Sequence, residues 1–170
     1  MKTLVVYFSR AGHASLTARV AKDIAKRCDA HIDTIKPKSP YTSWFHGWRY
    51  GWQALSQAEP PIQRPSRNPA NYDLVVVGVP ITRAGLAPPV RSYVRRYGSG
   101  IKHLALFCAE GTGREERGFL ELSMLYGKPP LATFGVVRKD LSTIADRAQL
   151  DDFVDSLGGG LAGHSDSSLA

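Results

Sequence analysis

Short apolar runs separated by amphipathic stretches set the pattern of this chain. Residues 3–8, 74–79, 104–108 and 133–137 are nearly continuous in Val, Leu, Ile, Phe and Tyr or small residues. Runs of that length without polar alternation fit strands covered on both faces, as in a parallel sheet. A weaker run, 30–35, alternates apolar and polar positions and predicts an edge strand. Between the runs the period changes to that of a helix. Leu16, Val20 and Ile24 stand at i, i+4 and i+8. Pro88 and Pro89 suit a helical first turn and lead into Val90, Tyr93 and Val94. Another helix begins near Arg114 and includes Leu120, Leu122, Met124 and Leu125. A last one covers 148–157 and stops at Gly158-Gly159-Gly160. The expected organisation is one domain over 1–157 and a small, polar, disordered tail over 158–170.

The stretch 36–71 breaks the alternation. Prolines at 37, 40, 60, 61, 65 and 69 bracket an aromatic middle. Tyr41, Trp44, Phe45, Trp48, Trp52 and Leu55 recur at helical spacing and predict a helix near 41–57. One reading packs this stripe against the sheet as a covering helix, since aromatic stripes mostly belong to cores. The other makes it a wall beside a ligand or a contact between two copies, with Tyr50, off the stripe, the residue left exposed.

Parallel strands need crossovers, and crossovers are right-handed in nearly all cases. Strands alternating with helices therefore predict a doubly wound α/β domain, whose ligands sit at the carboxyl ends of the strands. One hundred and seventy residues suffice for one such core. No apolar stretch reaches the ~20 residues that span a bilayer. Cys28 and Cys108 are the only cysteines, so no disulfide framework is expected. No signal-peptide pattern opens the chain, and a cytoplasmic location is the expectation.

Charge changes the picture only slightly. Lys and Arg number 22 against 15 Asp and Glu, a net +7. Arg91, Arg95 and Arg96 form one group, and Arg114 and Arg117 another. No recognition motif accompanies them, so solvated helix faces are expected rather than specific nucleic-acid binding.

The candidate chemistry lies after the first strand. Ser9-Arg10-Ala11-Gly12-His13-Ala14-Ser15 joins a buried strand to a helix. Backbone N–H groups of such a loop, and the helix N-terminus behind it, can face a phosphate. Gly12 permits close approach, and Ser9 and Ser15 offer hydroxyls. The same residues also fit a plain tight turn with Ser15 as N-cap. The lysine of a G-x-x-x-x-G-K-[ST] loop and the spacing of G-x-G-x-x-G are both absent. No G-x-S-x-G elbow is present, and Cys and His lack metal-site spacing. A receiver domain would need acidic residues where Tyr7-Phe8-Ser9 stands.

These segments resemble the flavodoxin-like proteins. Val5-Val6-Tyr7-Phe8-Ser9-Arg10-Ala11-Gly12 is similar to their first strand and phosphate loop. Tyr72 to Pro80 resembles their third strand, and Ala87-Pro88-Pro89-Val90-Arg91 the start of the next helix. Leu106-Phe107-Cys108 with Gly111-Thr112-Gly113 resembles their fourth strand and its turn. The resemblance implies a three-layer sandwich around a five-stranded parallel sheet of order 2-1-3-4-5. It implies noncovalent FMN, with the phosphate on Ser9, Arg10, Ala11, Gly12, His13, Ala14 and Ser15. Pro80, Ile81, Thr82, Arg83, Ala84 and Gly85 would flank one side of the flavin ring. Cys108, Ala109, Glu110, Gly111 and Gly113 would approach from the other. The chain departs from the family's pattern at Ala11 and Ala14, where threonines are common. It departs at His13, where Asn is common, and at Thr82, where an aromatic residue is common.

The implied function is electron transfer, or reduction of a small acceptor such as a quinone, with an unidentified redox partner. The flavin would do the redox chemistry, so no catalytic acid or base and no metal is expected. The alternative is the same fold without FMN, serving as a binding module. Cys108 is either a ligand-side thiol or a buried structural one. Glu110 is either a ligand-side acid or a solvated loop carboxylate. A homodimer fits either function.

Overall fold

The computed structural model of the protein describes residues 1–9, 15–38, 59–82, 85–109, 115–136 and 144–162. Strand β1 (Thr3–Tyr7) is followed by helix α1 (Leu16–Arg27), β2 (His31–Thr34) and β3 (Leu74–Gly78). A short pair, β4 (Ile81–Thr82) and β5 (Gly85–Leu86), precedes α2 (Pro88–Tyr97). Then come β6 (His103–Ala109), α3 (Glu115–Tyr126), β7 (Thr133–Val136) and α4 (Ile144–Ala162). The stripe predicted near 41–57 lies outside the described residues.

The main sheet has five strands in the order β2-β1-β3-β6-β7, all neighbours parallel. Setting aside the hairpin β4–β5, which forms its own antiparallel pair, this is the expected order 2-1-3-4-5. Val5, Val76, Ala105 and Phe134 face a core shared with α1 and α4. Leu4, Val6, Val75, Val77, Leu104 and Leu106 face a second core shared with α2 and α3. Burial on both faces explains why these strands carry apolar residues at successive positions.

Four local features differ from the expectations. In β2 the inward position holds a carboxylate. Asp33 is buried, and Ile32 is 38% exposed. Asp33 Oδ1 accepts the Thr34 amide at 2.8 Å, and Oδ2 accepts the Arg67 amide at 3.1 Å. The buried charge thus ties the 63–71 crossover to the sheet edge. Arg91, grouped above with solvated cations, is 3% exposed. Its Nε and Nη2 both reach Glu121 Oε1 at 2.6 Å, which joins α2 to α3.

Helix α4 does not stop at Gly158 but continues through the three glycines to Ala162. Extending an already nucleated helix costs only about 1 kcal/mol per glycine relative to alanine. The domain's last helix therefore runs beyond the boundary expected at residue 157. Finally, residues 80–87, between the predicted strand and the helix start at Pro88, contain the hairpin, whose two-residue strands are too short to show a period.

Gly78 ends β3 beside Phe107, its register partner on β6. A Cβ on Gly78 would lie 2.3 Å from Phe107 Cζ and 2.9 Å from Tyr7 Cβ. Only a residue without a side chain lets the Phe107 ring lie against the β3 backbone. Gly78→Ala is expected to lower stability by about 1–3 kcal/mol, the usual cost of overpacking. Urea unfolding would measure it, and a Phe107→Leu background should shrink the loss. An unchanged midpoint would mean that the ring moves aside freely.

Candidate functional site

Strands β1 and β3 end at one level, beside Phe107 of β6, which runs two residues further against β7. Tyr7 pairs with Gly78, and Gly78 with Phe107. The ladder continues one step further, with Phe8 N donating to Gly78 O at 3.3 Å and Val79 N to Phe107 O at 2.8 Å. Ser9, Val79 and Ala109 therefore stand at the same edge of the sheet. This is the point where strand order reverses between β1 and β3, the position at which such sheets bind ligands.

At this edge Ser15 is the N-cap of α1. Its Oγ accepts the Ala18 amide at 3.2 Å and a hydrogen bond from Ser9 Oγ at 2.7 Å. The strand end and the helix start are thus tied side chain to side chain. Thr17, in the first turn of α1, is 1% exposed and donates from Oγ1 to the Ala109 carbonyl at 3.4 Å. It links the first loop's helix to the end of β6. Sequence reasoning passed over Thr17, and its place two residues after an N-cap serine is the signal that was available.

The three helix starts near this edge differ in charge. The first turns of α1 and α2 contain no acidic residue, while α3 begins with Glu115 and Glu116. A helix N-terminus carries partial positive charge, which first-turn carboxylates neutralise. An anion is therefore favoured at α1 or α2 and disfavoured at α3. Among the described residues α1 alone adds capping serine hydroxyls, since Ala87 caps α2 without a side-chain bond.

Of the predicted site residues, the structure brings Ser9, Ser15, Pro80, Ile81, Thr82, Gly85, Cys108 and Ala109 to this edge. Arg10, Ala11, Gly12, His13, Ala14, Arg83, Ala84, Glu110, Gly111 and Gly113 lie outside the described residues. Cys108 reaches the edge only through its backbone. Its side chain is fully buried in the core under α2 and α3, as a structural thiol would be. Tyr7, just below the edge, has its phenol pKa pushed up by burial. Among the described residues no group of three or more His, Cys, Asp or Glu is arranged to hold a metal. Two depressions elsewhere, of about 380 and 460 Å³, lie beside Arg64 and Tyr97 and beside Lys2 and His31, away from this edge.

The sequence profile of the flavodoxin family matches residues 2–126. The chain belongs to the flavodoxin family. No curated protein matches it. Several solved structures share the fold. A Bacteroides uniformis protein, provisionally a flavoprotein, is 23% identical with a TM-score of 0.72, over 91% of this chain and 97% of its own. A second such protein, from Bacteroides eggerthii, is 25% identical with a TM-score of 0.66, over 89% and 97%. A Lactobacillus acidophilus flavoprotein solved in complex with FMN is 18% identical with a TM-score of 0.66, again over 89% and 97%.

Ser15→Ala removes both the cap and the bond from Ser9. A stability loss of about 1 kcal/mol is expected, the typical value for a helix N-cap. Ser15→Asn, which keeps a capping oxygen, should lose much less. Equal loss in the two variants under urea would separate Ser15 from a capping role.

Proposed function

We propose that this flavodoxin-family chain binds FMN at the carboxyl edge of its sheet. We further propose that it carries electrons or reduces a small acceptor such as a quinone. The observation that carries this reading is the α1 N-terminus. It has no first-turn acid, stands at the strand-order switch, and presents Ser9 and Ser15 2.7 Å apart. The FMN complex of the Lactobacillus flavoprotein, which shares this fold, supports the reading.

The donor set fits a phosphate monoester. Two hydroxyls, the start of α1 and the loop glycine Gly12 offer neutral donors of the kind that hold phosphate without a lysine. The Ser9–Ser15 bond must be exchanged for bonds to phosphate oxygens, a substitution of charge-assisted for neutral hydrogen bonds. Pro80 with the β4–β5 hairpin would flank the flavin ring on one side, and Ala109 at the end of β6 would mark the second wall. Thr17 holds the second wall against the first loop's helix through the Ala109 carbonyl. Bound FMN would accept and return electrons, and the protein's part is to hold it and set its surroundings. Cys28, half-buried, and Cys108, buried, form no disulfide, which suits a reducing cytoplasmic setting.

Absorbance and fluorescence titration of the purified protein with FMN tests the reading. Saturable binding with a flavin spectrum is expected. Gly12→Val should abolish binding while leaving the circular dichroism unchanged. A folded wild type without FMN affinity would instead support the binding-module alternative. NAD(P)H oxidation with and without a quinone then separates a carrier from a reductase.

The departures at Ala11 and Ala14 yield a second expectation. Each hydroxyl missing from the loop withholds a hydrogen bond worth about 1 kcal/mol. Restoring both, in Ala11→Thr with Ala14→Thr, should tighten FMN roughly tenfold or more. No gain on titration would mean that these two positions do not face the phosphate.

A further inference from the structure

Charge is not scattered over this fold but ordered across it. On one face of the sheet, α1 lies over β1 and β2, and α4 over β7. Helix α1 carries Arg19, Lys22, Lys26 and Arg27 against Asp23 alone. Helix α4 reverses this, with Asp146, Asp151, Asp152 and Asp155 against Arg147 alone. The other face keeps the same order. Helix α2 has three arginines and no carboxylate, while α3 has three glutamates and one arginine. Opposite charges are matched where the helices meet, Arg27 with Asp151 of α4 and Arg91 with Glu121 of α3. On α1, Arg19, Lys22 and Lys26 stand at i, i+3 and i+7, a single helix face, and all three are exposed. Among the described residues none of the three takes part in an ion pair.

This row begins next to the ligand edge. Arg19 comes one turn after Ser15, the cap at that edge, and Lys26 follows about 10 Å further along the helix. Lys36 and Lys38, both exposed, follow β2 at the same edge, where Ile35 N donates to Tyr7 O at 2.8 Å. Cations therefore flank the edge from the α1 side and from the β2 side.

We infer that this flank, from the α1 row to Lys36 and Lys38, is the docking surface for an acidic protein partner. That the partner exchanges electrons at the edge rests on the redox reading above. A surface of one sign raises the local concentration of an oppositely charged partner and speeds its encounter. Electron-transfer encounters bury little area, below about 1,200 Å², so a short charged row is large enough. Docking on it brings the partner within one helix length, about 18 Å, of the ligand edge. A protein is favoured over other polyanions because α1 has no aromatic side chain on which bases could stack. A second copy of the chain would bring its own net charge of +7 against the first.

Fluorescence anisotropy of a fluorescein-labelled decaglutamate peptide, titrated with the full chain, tests the surface. FMN titration of the same samples tests the ligand site separately. The peptide should bind saturably at about 20 mM salt and at least tenfold more weakly at about 200 mM. Arg19→Glu with Lys22→Glu should weaken it at least tenfold, with FMN affinity and circular dichroism unchanged. Lys102→Glu with Lys128→Glu alters the net charge equally outside the flank and should weaken it less than threefold. In reduced, FMN-loaded protein the first pair should slow reoxidation by ferricyanide severalfold, and the second pair should not. Peptide binding without FMN binding would overturn the redox reading and support the surface. No peptide binding, or equal losses in the two pairs, would overturn the inference. So would tighter binding of a ten-nucleotide thymidylate strand, sedimentation with phosphatidylserine vesicles, or self-association of the chain at low salt, each of which points to another occupant.

Discussion

The register that sets Tyr7, Gly78 and Phe107 side by side governs what stands above it. The three parallel strands share this level, where β1 and β3 end and β6 runs on two residues to Ala109. That level is maintained by close packing at Gly78, where the Phe107 ring occupies the space a side chain would need. Interiors are dense enough that such a contact has no slack. The edge on which a ligand would sit therefore inherits its geometry from an apolar contact one residue below it.

Polar ties then fasten the edge and its surroundings. Ser15 caps α1 and receives Ser9, and Thr17 joins α1 to the end of β6. Arg91 and Glu121 hold α2 to α3. On the far side, Arg27 bonds to Asp23 within α1 and to Asp151 of α4. Each tie connects elements distant in sequence or fixes a helix end, so the layers cannot slide independently. At the opposite end of the sheet, the Lys2 amide and the Lys102 ammonium hold the Asp73 carboxyl below its usual range.

One buried phenol is an exception. Tyr93 Oη is enclosed without a hydrogen-bond partner among the described residues. Burial, with the Asp33 carboxylate and Tyr97 nearby, pushes its pKa upward. The hydroxyl stays neutral, and the ring, stacked at a tilt on Tyr97, serves the core as an aromatic body. Inward Asp33 and orphaned Tyr93 together mark the edge-strand side of the α2 layer as the more polar of the two cores.

The sequence by itself determined the class of the fold and the edge where chemistry would lie. Residues 4–8 and 74–79 read as buried strands, because five and six successive nonpolar positions leave no face for water. Pro88 and Pro89, and Ser15 before Leu16, marked helix starts through local backbone chemistry alone. The strand order came from likeness to a family, since runs of Val and Leu do not name their neighbours. Tertiary structure alone decided which polar groups turn inward. Asp33 and Arg91 are buried because partners distant in the chain, the Arg67 amide and Glu121, compensate their charges. Leu120 and Met124 face outward because Phe119, Leu122 and Tyr126 already fill the inner side of α3. A one-dimensional pattern records each residue's chemistry, but burial is a property of pairs, and the pairs are made only when the chain has folded.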